Sequence, residues 1–165
     1  MQRNPQFARR VFNLWPCIRR TGARVTRVAD DWTELDVRLP LNWRTRNYMG
    51  TIFGGSLYAA VDAWYTLMLI QLLGPGYVVW DKAATIRFRR PGTSALTAST
   101  RIDMGELQSI RDEVAGLGRV DRTYVIDLVD EAGVVHASVD KVIYIASRDA
   151  HDARHAERAR VKESA

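Results

Sequence analysis

Between Gly54 and Leu73 only Ser56, Asp62, Thr66 and Gln71 interrupt twenty residues that are otherwise apolar or glycine. A helix apolar on nearly every side has to be enclosed by the rest of the chain, so this segment predicts a buried central helix from about Gly55 to Leu73, closed by the Gly74-Pro75-Gly76 turn. The stretch approaches the length of a membrane span. Asp62 in its middle and the glycine-rich turns at both ends favour a core helix instead.

The remaining chain has the periodicity of a wrapper. In TELDVRLP (33–40), Leu35, Val37 and Leu39 alternate with Glu34, Asp36 and Arg38, the pattern of a half-buried strand. Four further runs, YVVWDKAATIRFRR, SALTASTRIDM, GRVDRTYVIDLVD and VVHASVDKVIYIAS, read as strands, with ELQSIRDEVAG as a helix between the second and third. In the first run, strict alternation would place Val78, Trp80, Ala84, Ile86 and Phe88 on one face, with Lys82 among them, and Asp81, Thr85, Arg87 and Arg89 on the other. The expected class is α+β, one antiparallel sheet around one helix. Residues 1–147 form one domain, with an N-terminal helical segment over 5–20 interrupted by Pro16 and a core over 24–146. Residues 148–165 form a charged tail, a solvated helix or a disordered end.

The length of 165 residues suits a single core, and 47% hydrophobic with 26% charged residues is ordinary for a globular protein. The net charge of +5 is compatible with nucleic acid, a membrane surface or an anionic small molecule, but no nucleic-acid-binding motif is present. Cys17 is the single cysteine, so no intrachain disulfide forms. The N-terminus lacks the continuous apolar stretch of about 7–15 residues of a secretory signal, and the expected location is cytoplasmic. His151 and His155 have metal-ligand spacing on a helix, but in so charged a tail they read as solvated, and no metal is expected.

The chemistry concentrates in NYMGTIFGGSLYAAVD (47–62). Glycines at 54 and 55 open a helix start, where unpaired N–H groups converge and favour an anion or a developing oxyanion. Asp62 lies two turns on, sharing a stripe with Tyr58 and Thr66. A carboxylate in an apolar helix is expected to be desolvated, with its pKa raised toward that of a general base. Asn47 is a candidate for positioning substrate or for local loop bonds. Arg87, Arg89 and Arg90 are candidates for phosphate contacts or for a solvated sheet face.

The combination of Asn47, Gly50, Phe53-Gly54-Gly55 and Asp62 with IRFRRPG, GRVDRTYVIDLVDEAG and VVHASVDKVIYI resembles the hotdog-fold acyl-coenzyme A thioesterases of the phenylacetate-pathway type. It is most similar to a branch with FGG where those enzymes have HGG. The resemblance spans residues 24–146. It implies a sheet wrapped around a central helix, and homodimers or tetramers with active sites between subunits. It also implies hydrolysis of an acyl-coenzyme A or acyl-carrier thioester without a cofactor beyond the coenzyme A of the substrate. Carried over, Gly54 N–H polarises the thioester carbonyl, Asn47 positions substrate or water, and Asp62 of the neighbouring subunit acts as base or nucleophile. Gly55, Phe53, Thr66, Arg87, Arg89 and Arg90 then contact substrate. The phenyl ring of Phe53 cannot make the hydrogen bonds of an imidazole, so a non-hydrolytic acyl-thioester binder is the alternative. A basic nucleic-acid-binding module ranks third.

Overall fold

The computed structural model describes residues 4–163. Helix α1 (Pro5–Leu14) and helix α2 (Pro16–Thr21) lead into strands β1 (Arg24–Val28) and β2 (Glu34–Leu39). Helices α3 (Gly54–Ala59) and α4 (Trp64–Leu73) follow, then β3 (Tyr77–Phe88), β4 (Leu96–Arg101), α5 (Met104–Leu117), β5 (Arg119–Val129), β6 (Val135–Ser147) and α6 (Arg148–Glu163). The six strands form one sheet in the order β1-β2-β4-β5-β6-β3, with every neighbouring pair antiparallel. The expected α+β architecture is present, and α4 lies in the core the sheet encloses.

The apolar faces account for the assembly. Leu57, Ala60, Val61, Trp64, Met68 and Leu69 from the central helical segment pack with Leu35, Val37, Val139, Ile143 and Ile145 from the sheet in one hydrophobic cluster. Helix α1 closes this core from the side: the Phe12 ring lies 6.2 Å from Trp32 and 5.8 Å from Trp64, centroid to centroid. Pro16 ends one helix and starts the next, as its missing N–H and fixed φ favour.

Two departures from regular structure shape the surroundings of Asp62. The first interrupts the central helix at residues 60–63, where Val61 N–H donates to Tyr58 O in a tightened turn. The indole of Trp64 donates to Ala60 O at 2.6 Å, capping the carbonyl that a regular helix would offer to the Trp64 amide.

The second departure is a β-bulge in β3: Asp81 opposes Ile143 on β6 while Ala83 opposes Val142, leaving Lys82 as the extra residue. The bulge reverses the alternation read from the sequence. Val78 and Trp80 fall on the outer face, whereas Ile86 falls on the inner face opposite the fully buried Val139. Asp81 is thereby turned inward, opposite buried Ile143, and the expected grouping of Asp81 with Arg87 on the outer face is overturned. Lys82 pairs with Asp121, whose neighbour across the sheet is Tyr144 on the outer face, so the lysine does not share an inward face with Ala84.

The charged tail is helical over Arg148–Glu163, with His151 and Arg154 partly buried against the sheet. Ser164 and Ala165 lie outside the described residues.

Candidate active site

The helix interruption and the β-bulge meet at one point. Asp62 sits in the interrupted turn and is held by two donors on the same oxygen: the Tyr58 hydroxyl and the Lys141 ammonium each lie 2.7 Å from Oδ1. Oδ2 has no hydrogen-bond partner among the described residues. Lys141 comes from the inner face of β6, where the sequence alternates inward through Val139, Lys141, Ile143 and Ile145. Its ammonium also lies 2.9 Å from Asp81 Oδ1, and Thr66 of α4 donates to that same oxygen at 2.9 Å.

Burial divides the cluster by depth. The Lys141 side chain is 1% exposed, while those of Asp62 and Asp81 are 46% and 37% exposed. The cation is buried and the two carboxylates are partly exposed. A buried ammonium needs this pairing, since an unpaired one loses its charge. For Lys141, burial pushes the pKa down, but the hydrogen bonds and charges of Asp62 and Asp81 together hold it above its ordinary value.

For Asp62, partial burial is the largest single influence and pushes the pKa up. The hydrogen bonds from Lys141 and Tyr58 and the lysine charge together outweigh it, so the carboxyl is held below its ordinary value. The upward shift expected from the sequence is overturned. Desolvation acts as anticipated, but a cation supplied from β6 reverses its result.

The remaining candidates surround this cluster or stand apart from it. Gly54 and Gly55 open α3, and their amide groups have no protein acceptor among the described residues. The Phe53 ring folds over Gly55, where a Cβ would lie 2.4 Å from the ring, and Phe88 from β3 stands 3.0 Å from where a Gly54 Cβ would be. Asn47 is engaged locally: its amide donates to Thr51 Oγ1 at 3.0 Å and its Oδ1 accepts from Thr51 N–H at 3.1 Å, closing the 47–51 loop. Thr66 joins the cluster through Asp81 rather than through Asp62.

Arg87 pairs with Asp140. The Arg89 and Arg90 amides both donate to His136 O, and neither side chain has an ion pair among the described residues. His136 is buried between Pro91 O at 2.9 Å and Asp130 Oδ2 at 3.0 Å, a structural clamp at the turn of β6.

Reasoning from the sequence missed Lys141 and Asp81. For Lys141 the signal was present, a lysine at an inward position of a strand otherwise alternating Val and Ile. For Asp81 it was not, because the bulge that turns it inward leaves no mark in the pattern.

The sequence model of the domain of unknown function DUF4442 matches residues 3–145. The chain belongs to this family. No curated protein matches it. Among solved structures, a protein of unknown function from Pseudomonas aeruginosa, described as a probable thioesterase, superposes with a TM-score of 0.76 at 20% identity, covering 87% of this chain and 95% of that one. A thioesterase from Haemophilus influenzae gives 0.67 at 17% identity over 89% and 93% of the two chains. A point mutant of the phenylacetic acid degradation protein PaaI from Thermus thermophilus gives 0.55 at 20% identity over 78% and 97%. This DUF4442 chain has the hotdog fold expected from its sequence, with the interrupted central helix at its centre. The Asp62–Lys141–Asp81 cluster lies at that interruption.

Proposed function

We propose that the protein hydrolyses an acyl thioester, with Asp62 as the reacting carboxylate. The observation that carries this reading is the asymmetry of the carboxylate: Oδ1 is fixed by Tyr58 and Lys141, while Oδ2 is unclaimed and the side chain opens to solvent. Such a group is anionic at neutral pH, oriented, and has one oxygen available. Oδ2 accepts a proton from water as the water oxygen bonds to the thioester carbon, and the carbon–sulfur bond then breaks with the thiolate taking up the proton. The amide of Gly54, at a helix start with no protein acceptor, is suited to receive the developing oxyanion.

The substrate class is an acyl-coenzyme A or acyl-carrier thioester, in keeping with structural neighbours described as thioesterases. The functional unit is a dimer. Strand β3 is a twelve-residue edge strand, largely exposed, and a second copy pairing with it would protect that edge and bring the Asp62 of one subunit toward the glycines of the other.

Thiol release from a panel of acyl-coenzyme A substrates tests the reading. Turnover is expected, and Asp62→Asn is expected to lower it at least about a hundredfold; full activity in that variant removes Asp62 from the chemistry. A second reading, a non-hydrolytic binder, is favoured by the Phe53 ring lying over Gly55, where it narrows approach to the helix start. No turnover anywhere in the panel, with an acyl-coenzyme A raising the thermal midpoint, would select it.

A further inference from the structure

On the side of the sheet away from Asp62, helix α6 folds back from the end of β6 and borders a half-open cavity of about 420 Å³ on the outer face. Its floor is aromatic: Trp80 of β3 stands directly opposite Tyr144 of β6, and Trp80 is 62% exposed. Its walls are basic. Arg119 comes from β5, Lys82 from the bulge, and His151, Arg154 and His155 from α6.

The charges are unevenly matched. Lys82 is neutralised by Asp121, and Asp81, at the inner margin, belongs to Lys141 and Thr66. Arg119 has no acidic partner among the described residues. Arg154 donates to the Tyr144 hydroxyl at 2.6 Å and lies 5.9 Å from the centre of that ring, again with no carboxylate among the described residues. Two uncompensated guanidinium groups therefore flank an exposed indole. Arg119 lies within the span 3–145 that the family model matches, whereas Arg154, on helix α6, lies outside it.

We propose that this cavity binds a nucleotide, its base stacked on Trp80 and its phosphates held by Arg119 and Arg154. Indole faces stack on any nucleobase, and guanidinium forks match phosphate geometry with two parallel hydrogen bonds. The volume falls within the range of small-ligand pockets, about 300–1,000 Å³. The ligand is either a free nucleotide or the nucleotide portion of a thiol carrier; the second source rests on the thioester reading, whereas the site itself does not.

Calorimetric titration of adenosine 3′,5′-bisphosphate into the full-length protein tests the site without any need for turnover. Saturable binding is expected, weakened at least about tenfold by Arg119→Gln, by Arg154→Gln and by Trp80→Ala. Adenosine alone and pyrophosphate alone are each expected to bind at least about tenfold more weakly than the bisphosphate, since each satisfies half of the site. Thermal midpoints of the variants confirm folding, and all three positions lie on the outer face or α6 rather than in the core.

No saturable binding to the wild-type chain overturns the proposal. So does binding that survives these substitutions and is lost instead in Arg89→Gln/Arg90→Gln. With the site established, KM for one acyl group on coenzyme A and on pantetheine separates the two sources. A rise confined to the coenzyme A ester in the Arg119 variant identifies the substrate's own nucleotide, and an unchanged KM identifies a free nucleotide as a separate ligand. If the chain shows no turnover, the titration still decides the site while the thioester reading falls.

Discussion

The buried ammonium of Lys141 lies 2.7 Å from Asp62 Oδ1, so the carboxylate in the apolar helix is half of an ion pair that spans from the helix to β6. The pair has a defined polarity in space. Its cation is sealed below and its anion faces outward, so Lys141 acts on Asp62 from behind without obstructing Oδ2. Asp81 on β3 is the ammonium's second anion, Thr66 on α4 donates to Asp81 and Tyr58 to Asp62, and Tyr124 on β5 pairs with Lys141 across the sheet, itself bonded to Glu106 of α5. Arg122, beside Tyr124, is committed to Glu106 and Glu113 and adds no free charge.

Replacing Lys141 by the similarly sized Met removes the charge while filling the space. Both carboxylates reach water, so the expected loss of stability is moderate, about 1–3 kcal/mol in urea unfolding. The side-chain carboxyl resonance of Asp62, followed by NMR through an acid titration, is expected to titrate at higher pH in Lys141→Met than in the wild type. An unchanged titration would show that the lysine does not govern Asp62.

The stability of the pair follows from the direction of each shift. Asp62 has a folded pKa below its ordinary 3.8, so its contribution is complete above that value and disappears as pH falls through the folded pKa. Lys141 has a folded pKa above 10.5, so its contribution is complete below 10.5 and disappears as pH rises through the folded pKa. The cluster's contribution is therefore constant from about pH 5 to about pH 9. Subtracting the thermal midpoints of Lys141→Met from those of the wild type across that range is expected to give a level difference that narrows only at the two extremes. A steep slope at neutral pH would contradict the pairing.

At the helix start, Gly55→Ala places a methyl group where the Phe53 ring now lies. Phe53 is 57% exposed, so its ring can give way at small expected cost. A double-mutant cycle with Phe53→Ala is expected to show coupling of about 0.5–1 kcal/mol, because the clash vanishes with the ring. Additive effects would mean the ring does not cover Gly55 in solution.

Trp64→Phe removes the indole donor that caps Ala60 O. A buried carbonyl left without its donor costs about 1–3 kcal/mol, seen as a lower urea midpoint. Since this bond stabilises the interrupted turn carrying Asp62, turnover is expected to fall along with stability. Stability loss with unchanged turnover would separate the interruption from the positioning of Asp62.

Much of the architecture was legible along the chain. The apolar run from Gly54, with Asp62 and turns at both ends, favoured a core element, and the period-two segments at 33–40 and after Tyr77 read as the strands that enclose it. The PGT and DEAG turns and the Pro16 break also fall where local chemistry puts them. These features depend on near neighbours in sequence, which is why they can be read one segment at a time. The glycine pair and Asp62 marked the candidate site by the same logic.

What the sequence determined by itself was thus a sheet around a helix and the address of one carboxylate. Only the tertiary structure decided what that carboxylate is. Its electrostatic state depends on Lys141, 79 positions later, and the lysine's second anion depends on a bulge that inverts β3 by one residue. A one-residue shift changes which face a side chain takes without altering composition or pattern, and a charge acts through space rather than along the chain. For that reason the carboxylate expected to be raised by burial is held low by a lysine from β6.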